Sequence, residues 1–209
     1  DAAKRLAKKN IEALEGSAII LTECGSCSSF LKKYAELLSD ELGYAERAKK
    51  LSERVVDSNE FLFRNLKPGT VPILPPLNPP LIKGGRQKGV KVTYHDPCHL
   101  SRYQNITKEP REIIKSIPGV EFIELPEADW CCGGAGSYSI ENNEISMKIL
   151  ERKINNVKKT GADILATSCP ACMIQLSYGV KRFGLDVKVL HVNQLIELSL
   201  KATEVPAME

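Results

Sequence analysis

Five cysteines in three places dominate the chemistry this sequence offers: Cys98, the vicinal pair Cys131 and Cys132 followed by Gly133, and Cys169 and Cys172 in a Cys-x-x-Cys step. Thirty-two residues separate Cys98 from Cys131, and 36 separate Cys132 from Cys169. The Cys-x-x-Cys step puts two sulfurs on one turn, the vicinal pair adds two from a second loop, and Cys98 adds a fifth from a third. A donor set made of thiolates suits soft metals, chiefly iron-sulfur clusters and zinc. Four thiolates already satisfy zinc, which carries no electrons, so the fifth sulfur favours an iron-sulfur cluster and leaves zinc as the alternative. Cysteines that serve only as small core residues are seldom patterned in this way. A thiol-disulfide enzyme is the third reading, because Cys-x-x-Cys at a helix start is also a redox arrangement, but it leaves Cys98 and the vicinal pair without a task.

Around these sulfurs stand groups suited to support them. Gly133, Gly134 and Gly136 in the run CCGGAGSY let backbone N–H groups approach a cluster closely, although a plain tight turn uses the same residues. His95 and His99 flank Asp96-Pro97-Cys98, and His99 is the candidate donor, ligand or proton carrier. His191 is expected to be structural, and Trp130 to pack beneath the Cys131 loop and screen it from water. Cys24 and Cys27 form a second Cys-x-x-Cys pair with no visible companions in the sequence. The serines around Cys27 suit a helix cap as well as chemistry.

Along the chain, β-rich runs at 18–22, 90–94, 120–125, 164–167 and 187–192 are each followed by a helical pattern. That alternation predicts an α/β fold with a parallel sheet flanked by helices. Cys98, the vicinal pair and Cys169 all follow such runs, and the crevice beyond the carboxyl ends of parallel strands is the usual ligand site. Pro170 suits the first position of a helix. Cys169 and Cys172 then sit at its start, where the helix dipole favours thiolate.

An offset of 145 residues lays AIILTECGSC over ADILATSCPAC, with Asn10 on Asn155, Gly16 on Gly161 and Thr22 on Thr167. VVDSNEFL and LHVNQLIEL close the two copies alike. This predicts a tandem repeat whose first copy is incomplete: residues 1–66 form the C-terminal part of a first copy, 67–88 a proline- and glycine-rich connector, and 89–209 a complete second copy. The stretch 67–80 alone holds six prolines.

Composition narrows the function classes. With 209 residues, 43% of them hydrophobic, the chain can bury a core. Twenty-nine basic against 26 acidic residues, spread without blocks, give little support to nucleic-acid binding. No run is long and apolar enough for a transmembrane segment, and none resembles a signal peptide, so a cytoplasmic setting is expected, with any membrane association through partner subunits. The sequence GGAG after Cys132 is not the dinucleotide fingerprint, so the organic chemistry is expected to happen elsewhere.

The segment from Cys98 to Cys172 resembles the cysteine-rich CCG domain, and the likeness extends through GADILAT and HVNQLIEL and, by the repeat, into the first half. That family includes a subunit of heterodisulfide reductase and the iron-sulfur subunits of glycolate, lactate and anaerobic glycerol-3-phosphate oxidising enzymes. The resemblance implies an oxidoreductase component that transfers electrons through a [4Fe-4S] cluster of noncubane type. It implies Cys98, Cys131, Cys132, Cys169 and Cys172 as its ligands. A flavoprotein or other redox subunits are the implied partners.

Overall fold

The computed structural model describes residues 2–65 and 89–201. The proline-rich connector expected over 67–88 lies outside the described residues.

The chain alternates helices and short strands. The first segment runs α1 (Ala2–Leu14), β1 (Ile20–Thr22), α2 (Gly25–Lys32), α3 (Tyr34–Leu37), α4 (Ala45–Ser52), β2 (Val55–Asp57) and α5 (Ser58–Asn65). The second begins with β3 (Val90–His95), α6 (Cys98–Gln104), α7 (Lys108–Lys115) and β4 (Val120–Phe122). It continues with α8 (Tyr138–Glu141), α9 (Asn143–Thr160), β5 (Ile164–Thr167), α10 (Pro170–Arg182), β6 (Lys188–His191) and α11 (Val192–Lys201). The order α1–β1–α2 repeats as α9–β5–α10, and β2–α5 repeats as β6–α11.

All strand pairs among the described residues are parallel. One sheet has the order β4-β3-β5-β6 and the other is the pair β1-β2. The central strands β3 and β5 are buried on both faces, which explains why they read as near-continuous β-branched and apolar runs. On one face, Val92, Tyr94, Ile113, Ile114, Ala166 and Leu195 pack together. On the other, Leu125, Leu150, Ile154, Leu165 and Leu176 form a second core under α9 and α10. A third core of Ile11, Tyr34, Leu38 and Leu51 supports the β1-β2 pair. No helix among the described residues is long and apolar enough to cross a membrane.

Register aligns the strand ends. His95 pairs with Thr167, and Thr167 with His191, so β3, β5 and β6 stop on one row. The segments that follow, Asp96 to Cys98 and Ser168 to Cys169, leave the sheet side by side. Sequence periodicity overran three strands: β1 begins at Ile20, β4 stops at Phe122 and β6 spans only Lys188–His191. Beyond β4 the chain makes one more sheet bond, from the Ile123 N–H to the Val92 carbonyl at 2.9 Å, before Pro126, which lacks an N–H, breaks the pattern.

The two segments meet where α2 crosses α6. A Cβ at Gly25 would stand 3.1 Å from the Leu100 Cβ, so glycine permits the close approach. Gln104 Nε2 donates to the Gly25 carbonyl at 3.1 Å and to Ser28 Oγ at 2.8 Å. A buried polar seam runs alongside: Tyr94 donates to Ser168 Oγ at 3.1 Å, and Ser168 donates to Asn59 Oδ1 at 3.1 Å.

Candidate metal centre

Each sulfur owes its place to a strand end. Cys98 opens α6 directly after β3. Cys169 is the extended N-cap of α10 and is followed by Pro170, and Cys172 lies in the first turn of that helix. Cys131 and Cys132 lie on the loop between β4 and α8, whose Ala128 carbonyl accepts from the Asp96 N–H at 3.1 Å. That bond holds the loop beside the end of β3.

The sulfurs form a contiguous row. Each thiol shifts the protonation of the next, Cys98 with Cys131, Cys131 with Cys132, Cys132 with Cys172 and Cys172 with Cys169, and the Cys132 and Cys172 sulfurs lie within 4.8 Å of each other. Cys24 extends the row, its protonation coupled to that of Cys169, and Ser26 Oγ lies 3.7 Å from the Cys169 sulfur. Cys24 therefore has a companion that the sequence did not reveal, whereas Cys27 is exposed. All seven thiols are free.

Crowding these sulfurs shapes their protonation. Thiol donors on either side hold Cys131 (from Cys132, then Cys98) and Cys169 (from Cys172, then Cys24) far below the usual thiol range. The donors themselves, Cys98, Cys132, Cys172 and Cys24, are pushed up. Adjacent thiolates repel, so without a cation only separated members of the row ionise. A metal reverses that relation by deprotonating its ligands outright.

Backbone amides already face the sulfurs. The Gly133 N–H donates to Cys131 Sγ at 3.3 Å, and the Gly134 and His99 amides lower Cys132 and Cys98 respectively. Gly133 has φ of 88°, and a Cβ there would stand 2.5 Å from the Ser146 carbonyl oxygen. Only glycine satisfies both demands.

Two buried groups answer the negative charge of such a site. Lys153 is 2% exposed, and its ammonium donates to the Glu127 and Ala128 carbonyls. No carboxylate pairs with it among the described residues, and burial lowers its pKa to about 8 against the pull of Cys132 and nearby carboxylates. His95 is 1% exposed, and neither ring nitrogen has a partner among the described residues. A ring nitrogen and the sulfurs of Cys132 and Cys172 lie within 4.8 Å of one another. Burial, reinforced by the Lys153 charge, lowers the imidazole pKa to about 3 and keeps the ring neutral. A sulfur-rich anionic group in this space would give the ammonium its counter-charge and the imidazole its acceptor, so the residues fit one.

The frame around the site is polar and well tied. Arg111 grips Asp96 with two bonds of 2.8 and 2.7 Å and also binds Glu124, joining the residue before Pro97-Cys98 to α7. Glu127, left-handed at φ 55°, is held by Arg152 and Asn156 of α9. Sequence reasoning missed Arg111 and Lys153. The usable signal was Lys153 itself, a charge on the same helical stripe as Leu150, Ile154 and Val157.

Other candidates fall as follows. His99 is exposed, with Nδ1 3.5 Å from Cys98 Sγ and its ring stacked on Tyr103. His191 accepts the Asn193 N–H at 3.2 Å. Trp130 does not pack beneath the loop: it is 47% exposed, with the Arg152 guanidinium 3.7 Å from its ring centre. Cation–π attraction keeps it at the surface. There it walls a pocket of about 250 Å³ together with Cys131, Ile145 and Ile149.

Known proteins share this arrangement of sequence. The profile of the CCG family, described as a cysteine-rich domain, matches residues 1–32 and 92–177. The chain is 37% identical over 201 residues to the probable glycolate oxidase iron-sulfur subunit of Bacillus subtilis, covering 95% of this chain and 42% of that protein. It is 29% identical over 193 residues to lactate utilization protein A of Lysinibacillus sphaericus, covering 92% of this chain and 79% of that protein. With a fumarate reductase (CoM/CoB) subunit of Methanothermobacter marburgensis it shares 32% identity over 200 residues, covering 95% of this chain and 36% of that protein. The chain thus spans less than half the length of two of these relatives.

Proposed function

This chain belongs to the cysteine-rich CCG family, and from that premise we propose that it is the electron-transfer part of an oxidoreductase complex. In this reading Cys98, Cys131, Cys132, Cys169 and Cys172 hold one [4Fe-4S] cluster of noncubane type, and residues 1–66 close a first copy of the domain. The observation that carries it is the unbroken row of five sulfurs drawn from three separated loops, with the uncompensated Lys153 ammonium buried beside it. When bound, such a cluster supplies one-electron transfer.

The chain's own residues then have distinct tasks. The Gly133 and Gly134 amides and the start of α10 stabilise sulfur charge. Arg111 and Lys153 fix the loops that carry Cys98 and the vicinal pair. The pocket beside Cys131, rimmed by Lys148 and Arg152, leaves an opening toward solvent through which electrons pass to a partner. The relatives named for glycolate oxidase, lactate utilization and fumarate reductase support a complex that acts on a small organic acid, and the family resemblance adds a flavoprotein or heterodisulfide reductase-like subunits as the partners in this reading.

One observation favours a second reading. His95, Cys132 and Cys172 offer three donors within 4.8 Å of one another, the beginning of a structural zinc site. It leaves Cys98 and Cys131 unused. Anaerobic purification followed by metal and acid-labile sulfide analysis separates the two: iron with sulfide is expected, and zinc without sulfide would overturn the assignment.

A further inference from the structure

His95 ends the central strand of the sheet, paired with Thr167, and is sealed from solvent. A buried imidazole ordinarily donates from one nitrogen and accepts at the other. Here neither nitrogen has a partner in hydrogen-bonding geometry among the described residues. The Ala128 carbonyl acts on the ring and raises its pKa, but it is already used twice, by the Asp96 N–H at 3.1 Å and by Lys153 at 3.3 Å, and it is not in hydrogen-bonding geometry with either ring nitrogen. What the ring does face is sulfur, for Cys132 and Cys172 lie within 4.8 Å of it.

We infer that His95 is a positioning residue for the metal centre, its ring N–H donating to sulfur on the Cys132–Cys172 side and thereby holding the reduction potential up. The inference rests on the proposed function. Reduction adds negative charge to the centre, and a donor fixed in a water-free site compensates that charge more strongly in the reduced form. In this reading the five thiolates hold the centre, and the imidazole acts on it electrostatically through its N–H. His99, exposed beside Cys98, lacks the burial that gives a hydrogen bond such weight.

The test begins with the unsubstituted protein, purified without oxygen. Absence of iron and sulfide there would sink the proposed function itself, a result distinct from everything that follows. In protein that carries iron, His95→Leu and His95→Gln are compared by iron content, circular dichroism and potentiometric titration followed by electron paramagnetic resonance. Both variants are expected to retain iron. His95→Leu should shift the reduction equilibrium about tenfold toward the oxidised form, 59 mV for a one-electron couple. His95→Gln, which keeps an N–H, should fall between it and the unsubstituted protein. An unchanged potential in His95→Leu overturns the inference, as does loss of iron from folded variants, which would make His95 a ligand. Should His95→Leu fail to fold, pulsed resonance on His99→Asn protein labelled with nitrogen-15 histidine decides the question. A weak nitrogen coupling supports the hydrogen bond, while a strong coupling or none overturns it.

Discussion

The Ser146 hydroxyl donates to the Gly133 carbonyl at 2.7 Å, clamping the residue after the vicinal cysteines against the first turn of α9. Because Gly133 is left-handed and a Cβ would press on the Ser146 carbonyl, the clamp fixes where Cys131 and Cys132 point. Gly133→Ala is expected to cost at least about 1–2 kcal/mol, the penalty of a left-handed side chain, and to release bound iron while the rest of the fold persists. Ser146→Ala should cost only about 1 kcal/mol. Urea denaturation with iron analysis distinguishes them.

Arg111 and Asp96 form a bidentate pair whose carboxylate is almost fully buried. Replacing Arg111 with methionine leaves that charge alone, and the expected loss is about 3–5 kcal/mol. The double variant Arg111→Met with Asp96→Asn should recover part of it. Arg111→Lys should be intermediate, since lysine keeps the charge without the planar fork. Denaturation midpoints of the four proteins make the comparison.

Lys153→Met removes the donor shared by the Glu127 and Ala128 carbonyls. A stability loss of about 1–3 kcal/mol is expected from the orphaned carbonyls. In protein that carries iron, the midpoint potential should move to more negative values, because the buried cation favours the reduced centre. A potential equal to that of the unsubstituted protein would separate Lys153 from the site's electrostatics.

Asp57, at the end of β2, has its pKa raised by burial despite two bonds from Asn59. A carboxyl whose folded value lies above its unfolded value binds a proton more readily when folded. Its stabilising contribution is therefore full below the unfolded value, near 3.8, and is lost as pH rises through the folded value. Asp57→Asn should gain stability relative to the parent as pH climbs from about 4 toward neutrality. Denaturation at several pH values checks this, and a difference independent of pH would refute it.

What the sequence made legible was local. The runs that became β3 and β5, Pro170 at the start of α10, and the placement of Cys98 and Cys169 beyond strand ends all follow from periodicity and from the geometry of parallel sheets. Strand β2 was missed because three residues, Val55 to Asp57, are too few to show a period. The contact between Cys24 and Cys169 was hidden for another reason. It depends on α2 closing onto α6 over Gly25, a packing event that joins residues 145 positions apart. Lys153 passed unnoticed and His95 stood only as a neighbour of Cys98, because the burial that gives each its weight is set by tertiary packing. Trp130 went the other way, drawn outward by Arg152.

The central claim is that five sulfurs from three loops hold one inorganic core. Its most direct test is iron and acid-labile sulfide per chain in anaerobically purified cysteine-to-serine variants taken one at a time. The expected result is loss of iron and sulfide on substituting Cys98, Cys131, Cys132, Cys169 or Cys172, with full retention in Cys27→Ser. Parent levels of iron and sulfide in the Cys98 or Cys132 variant would contradict the account.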